Sequence, residues 1–297
     1  MDQIPEQYIR SGKITRDVRL WVKQTVRPGM SCLELAESVE REILGRGGFL
    51  PFPCGIGVNE VTAHFAPPSG DATLIDENDV VKVDFGVHFD GYLTDTAVTF
   101  TFNPEYEPLL DATERALAAA VASVREDVRA GEIGRSISGQ AARYGYRVIE
   151  NLTGHSVDRY VVHAGKSIPN LYMPNLQALK RGEVFAIEPF LTLKDAAGYV
   201  VDGSTETIFS IVARKRVGNQ DLDAFVSKVW DERKTLPFTP RWYVEEYKPE
   251  RLQGMLKELV RRKLLRAYPT LVEASGKPVA QFEHTMTLDE SGLVVLT

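Results

Sequence analysis

Cysteine is nearly missing from this chain, with Cys32 and Cys54 the only two among 297 residues. Two thiols cannot build a disulfide-stapled scaffold or a Cys-ligated structural zinc site, and such low usage suits a reducing, cytoplasmic setting. Long apolar runs are absent too. No window approaches the roughly 20 residues of a membrane helix, and the start, Met1-Asp2-Gln3-Ile4-Pro5-Glu6-Gln7, lacks the charged-then-apolar order of a signal peptide, so no membrane partner is expected. Positive charge is not in surplus. A net charge of −6 gives no general reason to expect DNA or other nucleic acid.

What the chain does have is one acidic pattern, present twice. Asp79-Val80-Val81-Lys82-Val83-Asp84 is matched about a hundred residues later by Glu183-Val184-Phe185-Ala186-Ile187-Glu188, each an apolar, strand-like run that closes on a carboxylate. The likeness extends outward. His64 precedes Asp84 as His163 precedes Glu188, and Tyr92-Leu93-Thr94-Asp95-Thr96-Ala97-Val98 is echoed by Ala280-Gln281-Phe282-Glu283-His284-Thr285-Met286. Two related halves therefore aim four carboxylates at one place.

Strand geometry supports that convergence. Asp90-Gly91 is a two-residue hairpin signal, so residue 89 faces 92 and residue 86 faces 95. Asp84 then lies on the same face as 86, diagonal to Asp95 and about 7–8 Å away at the backbone. Four such acids in an apolar setting repel one another and demand cations, and two divalent metals cancel their charge. Oxygen ligands with one imidazole suit Mn, Fe, Co or Zn. His155, in Asn151-Leu152-Thr153-Gly154-His155, is the candidate nitrogen ligand, although its position alone also fits a plain loop histidine at a glycine turn.

The remaining pattern is of mixed helices and strands. Tyr8 to Val26 and Ser31 to Arg46 read as helices, with Ser31 as N-cap, Glu34 at the capping-box position and Gly47-Gly48 as the stop. The second half repeats the order: a helix from Ala112 to Val128, a connector at Arg129-Ala130-Gly131, and a helix from Ser136 to Tyr146. Each half is two helices followed by strands, which places the chain in the α+β class. The repeat breaks between about Thr205 and Lys277, where Asp221 to Lys234 and Pro249 to Arg266 read as amphipathic helices. Lys257, Arg261, Arg262, Lys263 and Arg266 form a basic face there, read as solvated surface with ribosomal RNA as the alternative.

Taken in order, Phe52-Pro53, Ala63-His64-Phe65, Val83-Asp84-Phe85-Gly86, Thr94-Asp95-Thr96-Ala97, Asn151 to Ser156, His163-Ala164-Gly165, Phe185 to Phe190 and Ala280 to Thr285 resemble the signature blocks of type 2 methionine aminopeptidases, in their archaeal form. The resemblance implies a pita-bread fold: residues 1–204 and 273–297 as the catalytic domain, and 205–272 as an inserted, winged-helix-like helical subdomain. It also implies roles. Asp95 and Glu283 bridge two divalent ions, Asp84 completes one sphere, and His155 with Glu188 completes the other. Glu188 shuttles a proton, His64 and His163 bind the substrate without ligating metal, and Phe52, Val162 and Phe190 line the methionine pocket. The implied reaction is hydrolysis by a metal-bridging hydroxide, removing the initiator methionine from nascent polypeptide N-termini when the second residue is small, by a monomer that could contact the ribosome. His88 and His284 are read as structural. The rivals are a proline-specific peptidase, against which the short stretch before Tyr8 counts, and a non-catalytic RNA- or protein-binding relative, against which the full ligand set counts.

Overall fold

The computed structural model describes residues 4–297, and its first half opens with helices that bury one face each. Helix α1 (Glu6–Thr25) buries Ile14, Val18 and Val22, and α2 (Cys32–Gly45) buries Leu35, Val39 and Ile43. Ser31 caps α2, its hydroxyl accepting from the Glu34 backbone N–H at 3.3 Å. Two short strands, β1 (Gly55–Val58) and β2 (Val61–Ala63), precede the long hairpin β3 (Val80–Phe89) and β4 (Tyr92–Thr101). Asp90 and Gly91 take φ of 50° and 85°, the two positive values that a two-residue turn of this twist needs. The register that follows pairs Phe89 with Tyr92 and Gly86 with Asp95, as the spacing predicts. Asp84 lies mid-strand, as that register requires, and Phe85, Val87 and Phe89 continue the buried face beyond it.

The second half repeats this order with shifted helix limits. Helix α3 is Glu107–Ser123, starting earlier than Ala112 because Pro108 suits its first turn. Helix α4 is Ala130–Arg143, so the expected Arg129-Ala130-Gly131 connector is in fact the helix start. Gly131 serves packing instead of turning, since a Cβ there would stand 1.8 Å from the Met173 carbonyl oxygen. Strands β5 (Arg147–Val148), β6 (Thr153–Val157), β7 (Ser167–Pro169), β8 (Val184–Ile187), β9 (Phe190–Thr192) and β10 (Val200–Ile211) follow.

Beyond β10 come α5 (Gln220–Arg233), a 3-10 turn (Pro240–Tyr243), α6 (Pro249–Arg261) and β11 (Leu265–Glu273). The α6 helix stops five residues short of Arg266. Lys263 turns left-handed at φ 59°, and Leu265 then enters a ladder against Ile211. These elements enclose an apolar cluster of their own in which Phe225 meets Tyr243 and Tyr247 edge-on, each at 5.5 Å. The β10–β11 ribbon serves two sides: Phe209, Ile211 and Leu265 face that cluster, while Ile208 and its partner Tyr268 face the central cavity. Residues 205 and 272 both fall inside this ribbon.

The chain closes with β12 (Val279–Gln281), β13 (His284–Asp289) and β14 (Gly292–Val295). One sheet runs β1-β3-β4, another β14-β13-β8-β6-β7, a third β12-β9-β5 and a fourth β10-β11-β2. No helix of the described residues is long and apolar enough to cross a membrane.

The glycines of α4 give a paired test. Gly131→Ala should destabilise by about 1–3 kcal/mol through overpacking, whereas Gly139→Ala, with nothing within 4 Å of the added methyl, should stabilise by up to about 1 kcal/mol. Urea denaturation of both variants measures the difference, and equal effects would contradict the packing role of Gly131.

Candidate metal centre

Each acid reaches the cavity from a separate piece of backbone. Asp84 pairs with Ala97 and Asp95 with Gly86 across the first hairpin, so the two side chains are diagonal neighbours on one face. Glu188 follows the last residue of β8, and Glu283 sits in the break between β12 and β13. His155 projects from β6, whose partner in the ladder is Ala186 of β8. Its Nε2 stands 3.6 Å from Asp95 Oδ2 and 3.5 Å from Glu188 Oε1. Ligand atoms of Asp95, His155 and Glu283 all lie within 4.8 Å of one another.

Two sets of hydrogen bonds lock the halves together behind this cluster. Thr285 Oγ1 donates to the Asp95 carbonyl at 2.8 Å and accepts from the Asp95 N–H at 2.7 Å. Thr96 Oγ1 donates to the Glu283 carbonyl at 2.9 Å, and Glu283 N–H returns a bond to the Ala97 carbonyl at 3.1 Å. Arg19 of α1 reaches the same seam, donating from Nη1 to the Ala97 and Glu283 carbonyls at 3.0 Å each and to the Thr96 hydroxyl.

The electrostatics of the cluster are unfavourable as it stands. Burial pushes the Asp84 carboxyl up to about 7. Burial, and then repulsion from the neighbouring acids, hold Asp95, Glu188 and Glu283 well above the usual carboxylate range. His155 is driven down to about 3 by burial and by His163, whose ring lies 4.4 Å away edge-on. One oxygen each of Asp84, Asp95 and Glu283 is buried without a hydrogen-bond partner. Buried carboxylate oxygens with no donor, set around a neutral imidazole, fit hard or borderline divalent cations, and no thiol stands among them.

All ten residues singled out in the sequence line one cavity of about 360 Å³: Asp84, Asp95, His155, Glu188, Glu283, His64, His163, Phe52, Val162 and Phe190. His64 follows β2 with φ at 60°, a left-handed backbone that a histidine adopts only where its surroundings enforce it. Burial lowers it to about 4, with His163 adding to the shift, and Nδ1 has no partner. Its ring packs edge-on against Tyr268 at 5.6 Å. His88 and His284 lie elsewhere in local bonds, His88 Nδ1 accepting from Gly91 N–H and His284 Nδ1 bonding Thr297 Oγ1.

Several residues of the site had escaped the sequence reading. Gln281 donates to Glu188 Oε2 at 3.2 Å. Ile208, Pro237, Tyr268 and Leu271 line the cavity from stretches read as part of the insert. Arg19 carried a signal that went unused: Ser11, Thr15 and Arg19 recur every four residues on the buried face of α1, a polar stripe that meets β4 through Tyr92, Thr94 and Ala97.

The raised carboxylates give a stability test. A group whose folded pKa lies above its unfolded value contributes stability at low pH and loses it as pH rises through the folded pKa. Metal-free protein and its Asp84→Asn variant should therefore match near pH 4, and the variant should be more stable by a few kcal/mol above about pH 7. Divalent cation should reverse that order. Denaturation curves at both pH values, with EDTA or with Mn, measure it; a variant less stable than the parent at pH 8 in EDTA would contradict the repulsion.

Known proteins support the same architecture. A methionine aminopeptidase of Pyrococcus horikoshii is 39% identical over 293 residues, which cover 98% of this chain and 99% of that protein. Among solved structures, a thermophilic Arx1 is similar with a TM-score of 0.84 at 17% identity, covering 98% of this chain and 89% of that one. The methionine aminopeptidase of Thermotoga maritima is similar with a TM-score of 0.70 at 20% identity, covering 100% and 98%. These structural likenesses establish the fold alone, the pita-bread arrangement that the family resemblance implies. Residues 6–219 match metallopeptidase family M24, and with that match and the relative above, the chain belongs to this family of metallopeptidases.

Proposed function

We propose that this chain is a type 2 methionine aminopeptidase that removes the initiator methionine from nascent polypeptides when the second residue is small. The observation that carries the reading is the meeting of five candidate ligands with an apolar wall in a single cavity, in a chain whose full-length relatives are methionine aminopeptidases. Asp84, Asp95, His155, Glu188 and Glu283 are assigned as the residues that would hold two divalent cations. Bound there, two divalent cations (Mn, Fe, Co or Zn) would supply Lewis acidity and would lower the pKa of a water from 15.7 to about 7.

The chain's own groups do the rest. Phe52, Val162 and Phe190 take the flexible thioether side chain and exclude water around it. The substrate's free amine binds at the carboxylate cluster. Desolvation lowers the pKa of both His64 and His163, favouring the neutral ring, so each can donate one N–H to the scissile carbonyl and to the oxyanion that replaces it. Glu188, one oxygen fixed by Gln281, holds the proton taken from water and passes it to the leaving nitrogen.

The wider assignments belong to the same reading. Residues 205–272 act as an inserted subdomain on a catalytic domain of 1–204 and 273–297. Beside the basic end of α6, Arg214, Lys215 and Arg216 join Arg262 and Lys263, since Ala213 N–H bonds the Leu264 carbonyl and Arg262 bonds the Val217 carbonyl. That patch suits ribosomal contact in an otherwise acidic, monomeric, cytoplasmic protein.

His64→Ala or His163→Ala should leave bound metal near the wild-type amount while lowering turnover by roughly 10²–10³. Elemental analysis with single-turnover rates checks this, and loss of an ion would make that histidine a ligand. For the substrate, Met-Ala-Ser should be cleaved, norleucine tolerated in place of methionine, and Met-Leu-Ser and N-formylated peptide refused. Preferred cleavage of an Ala-Pro peptide under the same metal conditions would replace this reading with the proline-specific one.

A further inference from the structure

The segment Leu50-Pro51-Phe52-Pro53-Cys54 forms one wall of the cavity, yet the bonds that hold its ends come from elsewhere. The Leu50 carbonyl accepts from Arg233 Nη2 at 2.6 Å. At the other end the Cys54 N–H donates to Glu40 Oε1 at 3.1 Å. Glu40 in turn is gripped from the far side: Arg241 donates from Nη1 and Nη2 at 3.0 and 2.9 Å, and Trp242 Nε1 donates at 2.9 Å. Arg241 also fixes the Pro67 carbonyl, three residues after His64, and Arg233 stacks 4.6 Å over the Trp242 ring.

We infer that the inserted segment sets side-chain selectivity, with Arg233 and Arg241 acting as positioning residues that hold Phe52 against the cavity from behind. The inference rests on the methionine aminopeptidase reading for its substrate. Arg233 is the last residue of α5 and Arg241 sits in the 3-10 turn, and Pro237 between them lines the cavity itself. The Glu40–Arg241 pair is buried at both ends, 5% and 9% exposed. A buried ion pair survives only in a tight, fully bonded geometry, so this strut resists displacement more than a surface contact would. Phe52 is flanked by two prolines, so motion at either anchor passes to its ring with little backbone slack. None of the strut's hydrogen bonds reaches a metal-ligand candidate or a catalytic histidine. Losing it should therefore move the pocket wall and spare the chemistry.

The test compares Arg233→Met and Glu40→Gln with the parent holoenzyme; the Gln keeps an oxygen to accept the Cys54 N–H and the Arg241 bond. On Met-Ala-Ser, kcat should stay within about twofold and bound metal should be unchanged, while KM rises about tenfold and the preference for Met over Leu at the first position falls about tenfold. Hydrogen exchange in residues 50–54 should quicken in both variants. Folded variants with parental KM, preference and exchange would overturn the inference, as would a loss of kcat and metal with selectivity intact. If the parent cleaves the Ala-Pro peptide instead, the substrate reading fails on its own. The exchange rates then decide the brace: faster in the variants supports it, unchanged refutes it.

Discussion

Four carboxylates facing one another, Asp95 and Glu283 buried and Asp84 and Glu188 partly so, with a neutral imidazole among them, are the condition that the rest of this molecule is arranged to sustain. Such a group is unstable toward its own repulsion, and among the described residues no lysine or arginine forms an ion pair with the ligand oxygens. Arg19 comes nearest, but it bonds the backbone carbonyls of Ala97 and Glu283 and leaves the carboxylates open toward the cavity. The compensation must come from outside the chain. That requirement explains why partnerless buried oxygens occur on Asp84, Asp95 and Glu283, in a structure where Asp79, Glu40 and Glu273 each receive several donors.

Rigidity has to be supplied separately, because repelling groups do not hold themselves in place. Thr285 with Asp95, and Thr96 with Glu283, cross between the repeats so that each bridging candidate is pinned by the opposite half. Thr99 and Gln281 extend the seam with bonds of 2.6 and 2.8 Å. The pseudo-symmetry thus has a physical use: two similar strands meet side by side, and hydroxyls at matched positions satisfy backbone groups where no ladder joins them.

The site was more legible in the sequence than the helices around it. Asp90-Gly91 fixes one register, and that register alone places Asp84 and Asp95 on a shared face. The repeat then supplied Glu188 and Glu283. Helix limits were less legible because glycine carries two meanings: Gly47 ends α2, whereas Gly131 admits the backbone of residue 173 into α4. Arg261 to Arg266 kept a helical pattern in the sequence, but the apolar pair Leu264-Leu265 is claimed by the cluster under α5 and the chain turns into a strand. Tyr268, Ile208 and Leu271 were unreadable as pocket residues, since only the folded ribbon shows which of its faces meets the cavity.

The central claim is that the five converging side chains hold two divalent cations. Crystals grown with Mn and measured at wavelengths on either side of its absorption edge test it most directly. The account predicts two anomalous peaks in the cavity, with Asp95 and Glu283 touching both and His155 touching one. A single peak, no peak, or a peak ligated by His64 or His163 would contradict it.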